Sequence, residues 1–368
     1  MVTTPSPSSL RQRLEACLEP LRTDLLWVMS RAGQELFHSN TLGFLMERYP
    51  EATLPLRKLF EGDSAAGTVE TQRELHQLDL VGRSETSRYV VENKLYAIPY
   101  AGQLKRYLSR PLPWEPKPGS GGAEGTTYLL LALMEPSFGL PPPWALRTYA
   151  QVLAALDEVA PNEVEPDQEL FLRYRSMMRN LIALKDAVDP RRRPDEPFSV
   201  SALLSDPQLR WFSGPLQRMR YSGLLELVRD HHQPARDFAV GLSNTRGLAD
   251  YLFPLSKHRS VGWQLQGDDL RLVVLFREPS LSGKGPLKKD QRAAAAESQW
   301  LTYFDFNALP GHVEAVLSAT GGSKTGAWNH YDPDFVYRYR KVAPTTTSAD
   351  LARALATLTK RAEEWTAD

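Results

Sequence analysis

Asp79, Glu92 and Lys94 are the residues of this chain whose types and spacing could do chemistry, and Gln103 follows them within the stretch Leu75 to Tyr107. In Arg88 to Leu95, Tyr89, Val90 and Val91 bring β-branched and aromatic character, which predicts a strand. Side chains alternate along a strand, so Val90, Glu92 and Lys94 share one face. A carboxylate and an ammonium at the end of an apolar strand are costly to bury without partners or a metal. The segment Leu75 to Val81 offers a partner in Asp79, and the polar turn Gly82 to Ser87 predicts antiparallel pairing of the two segments. Two carboxylates converging at a sheet edge can hold a hard divalent cation through oxygen ligands.

The flanking elements must position these groups. After Pro99, which suits a first helical turn, Tyr100, Gln103 and Tyr107 fall at i, i+3 and i+7 on one helix face. Upstream, a helix from Gln34 is expected to bury the stripe Phe37, Thr41, Phe44, Leu45 and Arg48, with Glu35, His38 and Ser39 facing one direction. Taken alone, Glu35 reads as an exposed first-turn acid and His38 as a satisfied imidazole. Thr68 to Arg73 begins a first strand, and Glu74 is either a further acid near the site or a solvated position. Tyr128 to Met134 is a continuous apolar run of the kind a buried central strand needs, while Trp144 to Val159 and Asp167 to Val188 read as helices covering the sheet. Pro111 to Gly125 reads as a mobile surface loop, and Glu115-Pro116-Lys117 within it repeats the acid-x-lysine spacing where no strand can hold it. The tripeptide alone is therefore a weak signal.

Together, Asp79, Glu92-Asn93-Lys94, Gln103-Leu104-x-x-Tyr107 and Glu35-x-x-His38-Ser39 resemble the PD-(D/E)XK nuclease superfamily, in its bacterial branch. The resemblance covers roughly Glu35 to Tyr174, and the motif's leading proline is Leu78 here. It implies an α/β fold with an α-β-β-β-α-β core, a mixed central sheet flanked by helices. It also implies a metal-dependent nuclease, a DNA endonuclease hydrolysing phosphodiesters. On that basis Asp79, Glu92, Lys94 and Glu35 form the catalytic set. Asp79 and Glu92 ligate Mg2+ or Mn2+, with the Asn93 backbone carbonyl as a further ligand and Glu35 helping through metal or water. Lys94 orients the attacking water or offsets developing charge, and Gln103, Tyr107 and Tyr100 position substrate. Phage defence, restriction or repair are the settings implied, with a homodimer or a separate defence-system subunit as protein partners. The rival reading is a non-catalytic nucleic-acid-binding or protein-interaction module that retains the fold, and the intact acids and lysine argue against it.

At 368 residues the chain exceeds what one domain usually needs, and its 42% hydrophobic and 24% charged content is ordinary for a globular protein. Domains are expected at 1–190 and 198–368, joined by a linker, Asp189 to Pro197, that carries Arg191-Arg192-Arg193. The lone Cys17, read as a core hydrophobe, leaves no disulfide framework or zinc site. No apolar run approaches a membrane span, and Met1 to Ser9 lacks signal-peptide regions, so a cytoplasmic protein without a membrane partner is expected. The formal net charge is zero, so nucleic acid would be held by local patches.

The second half is expected to be an α+β unit. Gln217 to Asp230 and Ala235 to Phe253 read as helices, Trp263 to Gln266 and Leu270 to Phe276 as a hairpin, Trp300 to Phe306 and Phe335 to Val342 as strands, and Ser348 to Trp365 as a terminal helix. Arg338 and Arg340 share one strand face and Tyr337 and Tyr339 the other, while Lys284, Lys288, Lys289 and Arg292 accompany a Gly-rich loop. A basic face beside aromatics suits nucleic-acid backbone contact and base stacking; the other reading is an exposed strand face with the tyrosines packed inward. Thr320 to Gly326 lacks the glycine spacing of a phosphate loop and reads as a plain loop.

Overall fold

The structure, a computed structural model, describes residues 9–30, 35–63, 65–96, 101–110, 112, 125–136, 138–204, 209, 212–243, 245–324 and 327–365. It is a mixed α and β protein of two compact units, Met1–Val188 and Asp189–Asp368. Among the described residues no helix is long and apolar enough to cross a membrane.

The first unit opens with α1 (Leu10–Thr23), α2 (Leu25–Ser30), α3 (Glu35–Arg48) and α4 (Leu54–Glu61). Next come β1 (Val69–Leu75), β2 (Leu78–Ser84) and β3 (Arg88–Lys94), then α5 (Ala101–Tyr107), β4 (Thr126–Ala132), β5 (Trp144–Thr148), α6 (Tyr149–Asp157) and α7 (Gln168–Val188). The sheet order follows the chain, β1 to β5, with β1, β2 and β3 antiparallel and β3, β4 and β5 parallel. The hairpins need only short loops, two residues between β1 and β2 and three between β2 and β3, whereas the parallel pair β3 and β4 needs the crossover that contains α5. Leu129, Leu130 and Leu131 of β4 are fully buried, as an apolar run with two covered faces must be.

Ser9 starts α1 with a reciprocal capping box to Gln12, an arrangement worth about 1 kcal/mol. Thr23 is the last residue of α1, and Asp24 accepts from the Trp27 amide at 3.0 Å. Trp144 to Thr148 is a strand rather than the start of a helix; Thr148 forms a second capping box with Gln151 and switches the chain into α6. The buried face of α3 is His38, Ser39, Leu42, Gly43, Leu45 and Met46, so of the expected stripe only Leu45 is buried. Gly33, Tyr100, Glu115 and Lys117 lie outside the described residues, as does most of the loop from Pro111.

At the closed end of the β2–β3 hairpin, the buried Arg57–Glu61 pair of α4 meets at 2.7 Å, and Glu61 Oε2 also accepts the Ser87 hydroxyl at 2.9 Å. Ser84 and Ser87 close the turn through an amide-to-carbonyl bond of 2.8 Å. Under this hairpin Gly82 leaves room for the buried Tyr89 ring, which a Cβ at position 82 would strike.

The second unit holds α8 (Ser201–Leu204), α9 (Ser213–His231), β6 (Ala239–Ser243), β7 (Arg246–Pro254), β8 (Arg259–Gln266) and β9 (Asp269–Phe276). These are followed by α10 (Pro286–Gln299), α11 (Gly311–Glu314), β10 (Leu317–Gly322), β11 (Asn329–Tyr331), β12 (Phe335–Val342) and α12 (Ser348–Glu364). The antiparallel sheet runs β10-β12-β9-β8-β7-β6, with β11 paired to β12. α9 and α12 contribute Leu224, Leu225, Leu351, Leu355 and Leu358 to a core that meets Trp263, Leu272, Val274 and Val336 of the sheet.

Several expectations for this half are corrected. Ala235 to Phe253 is not helical but contains the β6–β7 hairpin, in which Thr245 takes a positive φ. Trp300 to Phe306 is turn and short helix rather than strand, because Trp300, Tyr303 and Phe304 are apolar in order to fill the core. Thr320 to Gly322, read as the start of a plain loop, instead end strand β10. Asp189 to Pro197 is not a free linker: Asp189 is buried and bonds Arg191, and Pro197 bridges to Thr347.

Candidate active site

The β2–β3 hairpin brings Asp79 and Glu92 opposite each other. Leu80 pairs with Val91, so the next position outward on both strands is an acid. Alternation then separates two faces of β3. Val90 packs with Leu104 of α5, so Glu92 and Lys94 share that side, and Asn93 reaches α3 on the other.

Glu92 is 1% exposed. Its Oε1 accepts from Lys94 Nζ at 2.7 Å and from Gln103 Nε2 at 3.1 Å, whereas its buried Oε2 has no hydrogen-bond donor. Gln103 also donates to the Tyr107 hydroxyl oxygen at 2.8 Å, so both helix residues face the strand as the spacing predicts. Lys94 Nζ makes a second ion pair, 3.1 Å to Glu35 Oε2, and the other Glu35 oxygen accepts the Leu95 amide at 3.2 Å. Glu35 therefore sits at the start of α3 as a holder of Lys94. Asp79 Oδ2 accepts the Asn93 amide at 2.7 Å.

Electrostatics follow from this packing. Burial first, and the neighbouring Asp79 second, push Glu92 from 4.5 up to about 8 against the pull of Lys94. Asp79 is also raised, again by burial, with Lys94 opposing. Burial alone would lower Lys94, but Glu92 and Glu35 outweigh it and hold the ammonium charged. With both acids ionised, three carboxylates, Asp79, Glu92 and Glu35, accompany the single ammonium of Lys94, so negative charge is in excess at the site.

Among the described residues no group of three or more His, Cys, Asp or Glu side chains is gathered as a metal cage. Asp79 and Glu92 nevertheless supply hard oxygens, and the donorless Glu92 Oε2 is the atom a cation would satisfy. Magnesium commonly uses one or two carboxylates and takes its remaining ligands from water and substrate phosphate, so these residues fit.

Asn93 has a larger part than its backbone carbonyl alone. Its side-chain amide donates to the Glu35 carbonyl at 2.8 Å and to Ser39 Oγ at 3.1 Å, and its Oδ1 accepts from the Tyr149 hydroxyl at 2.7 Å. One residue thus locks Asp79 through its main chain and α3 through its side chain. Sequence reasoning missed Tyr149, which is separated from Asn93 by 56 positions and carries no local signal. His38 is fully buried against Tyr174, with Nδ1 3.1 Å from that hydroxyl, and belongs to the support. Glu74 is an exposed residue near the end of β1, with positive φ.

The second unit holds the remaining expected residues. Arg338 and Arg340 are half-buried: they pair across β12 and β9 with Leu272 and Leu270, on the face that buries Val336 and Val342. Tyr337 is on the opposite face, with the Arg271 guanidinium 4.6 Å from its ring. Arg292 is fully buried and donates to Leu281, Gly283 and Pro333 carbonyls, so it is a structural residue and not part of a surface patch with Lys288. Comparison of the chain with protein-family models, with curated proteins and with solved structures finds no match.

Proposed function

We propose that this chain is a divalent-cation-dependent phosphodiesterase of the PD-(D/E)XK nuclease type, acting on DNA. The observation that carries the reading is the buried Glu92 facing Asp79, with one carboxylate oxygen donorless and the other on Lys94. Asp79 and Glu92 would hold magnesium or manganese, which when bound polarises the scissile phosphate and lowers the pKa of the attacking water. Lys94, kept charged by Glu92 and Glu35, orients that water and offsets negative charge as it grows on the phosphoryl oxygens. Gln103 fixes the rotamer of Glu92 and is itself fixed by Tyr107. The Asn93 amide holds Asp79. Host defence against phage, restriction and repair are the settings in which such an activity would serve.

The test is incubation of plasmid and linear duplex DNA with the purified chain, with and without manganese. Cleavage is expected only with the cation, lost in Asp79→Ala, Glu92→Ala and Lys94→Ala, and reduced less in Gln103→Ala and Glu35→Ala, which orient rather than ligate. Ordinary cleavage by folded Glu92→Ala removes the proposal. Binding of duplex DNA without cleavage at any cation concentration would support the rival, a non-catalytic module.

A further inference from the structure

The second unit contains a cavity of 850 Å³ between β10, β12 and the segment from Leu301 to Asn307. Its position is unusual for its chemistry. The row Val336, Arg338, Arg340, Val342 lies on the core face of β12, where alternation calls for apolar side chains, yet its middle two members are arginines. Both guanidiniums are half-buried, where a charge is still costly to leave unpaired, and neither makes an ion pair among the described residues. Arg340 donates one bond, 3.0 Å to the Ser318 carbonyl, and Arg338 Nε is buried without any acceptor. What Arg338 has is a ring: its guanidinium carbon lies 4.0 Å from the centroid of Trp328, which in turn stands edge-on to Phe304 at 4.8 Å.

Lys324, exposed at the rim, adds a third cation. Two acids also line the space, and both are placed where they do not neutralise the arginines. Asp305 caps the turn by accepting the Asn307 amide at 2.9 Å, and Glu314 is exposed at the edge. A cavity of this size falls within the range that takes small organic ligands, and is large for a bare phosphate. Half-buried cations lining a cavity ask for an anionic group, and an arginine held against an aromatic ring asks for a flat one.

We infer that this cavity binds a nucleotide unit, its phosphate on Arg340 and Lys324 and its base against the guanidinium plane of Arg338, which Trp328 backs. The inference goes beyond the cleavage reading and stands or falls separately, since no residue of the candidate active site takes part in it. The same chemistry is offered by a free mononucleotide and by a nucleotide within a single strand.

Binding is measured on the full chain in EDTA, by calorimetry and by tryptophan fluorescence, using adenosine 5′-monophosphate, adenosine, inorganic phosphate and a short oligothymidylate. The monophosphate or the oligonucleotide is expected to bind, with adenosine and inorganic phosphate weaker. Arg338→Lys keeps the charge but not the plane and is expected to weaken binding about tenfold. Arg340→Gln should remove most of the preference for the monophosphate over adenosine, and Lys324→Ala, at the rim where folding is not at stake, part of it. Binding of the oligonucleotide alone, with these sensitivities, assigns the site to a strand; binding of the monophosphate assigns it to free nucleotide. Absence of binding by both probes overturns the inference, as does binding that Arg338→Lys and Lys324→Ala both leave unchanged. Glu92→Ala should bind as the parent chain does, so failure of the cleavage reading would leave this result intact.

Discussion

Replacing Glu92 by glutamine should make the cation-free protein more stable at pH 8 while ending cleavage. Glu92 holds its proton more tightly folded than unfolded, since burial and Asp79 move it from 4.5 to about 8. Its contribution therefore favours the folded chain fully below 4.5 and is lost as pH rises to about 8. At about 1.36 kcal/mol per pH unit, complete ionisation at the raised value costs up to roughly 5 kcal/mol, and relaxation and water entry reduce this to roughly 2–4 kcal/mol. Asp79, raised in the same direction, adds to the slope, and glutamine at 92 relieves part of that as well. Lys94, raised rather than lowered, keeps its contribution through this window and loses it only at far higher pH. The assay is urea unfolding in EDTA from pH 5 to pH 9, with the transitions of the two units fitted separately. The parent chain should lose stability relative to Glu92→Gln between pH 5 and 8, and the gap should stay constant above that. Curves for the two proteins that run parallel across the whole range would show that Glu92 is not held near neutrality, and the electrostatic account of the site would fail with it.

Tyr149→Phe leaves Asn93 Oδ1 without its 2.7 Å donor in a buried place and should cost about 1–3 kcal/mol. If Asn93 positions Glu35 and hence Lys94, the same variant lowers turnover more than it raises KM, and an unchanged turnover in folded protein would make Tyr149 a packing residue only. Gly82→Ala drives a methyl group into the Tyr89 ring, which is buried against Phe60, and should destabilise the first unit by about 1–3 kcal/mol in thermal unfolding.

The hairpin carrying Asp79 and Glu92 was legible because its signals are local: two short apolar runs, a polar turn and a strand period of two. Gln103 and Tyr107 were legible for the same reason, being one helical turn apart on α5. The β6–β7 hairpin was misread because its turn sequence is Asn-Thr, without the glycine that marks positive φ. The aromatic run from Trp300 was misread because burial and strand propensity select the same residues. A boundary signal was present but overlooked at Thr148, where Thr-x-x-Gln marks the entry to α6. Tyr149 against Asn93, and the turning of Arg338 toward the core, depend on contacts between distant segments that no local pattern encodes.

The closed end of the β2–β3 hairpin bears on what changes in chain length the site can survive. Ser84 and Ser87 are bonded across the turn, and Glu61 grips Ser87, so an added or missing residue there is transmitted into the strand rather than absorbed. Because side chains alternate, an odd change rotates Glu92 and Lys94 to the α3 side and brings Val91 or Asn93 opposite Asp79, whereas an even change restores the faces and shifts only the depth. Length variation in this turn is thus constrained by parity, and homologous chains that keep both acids should differ here by pairs of residues or not at all.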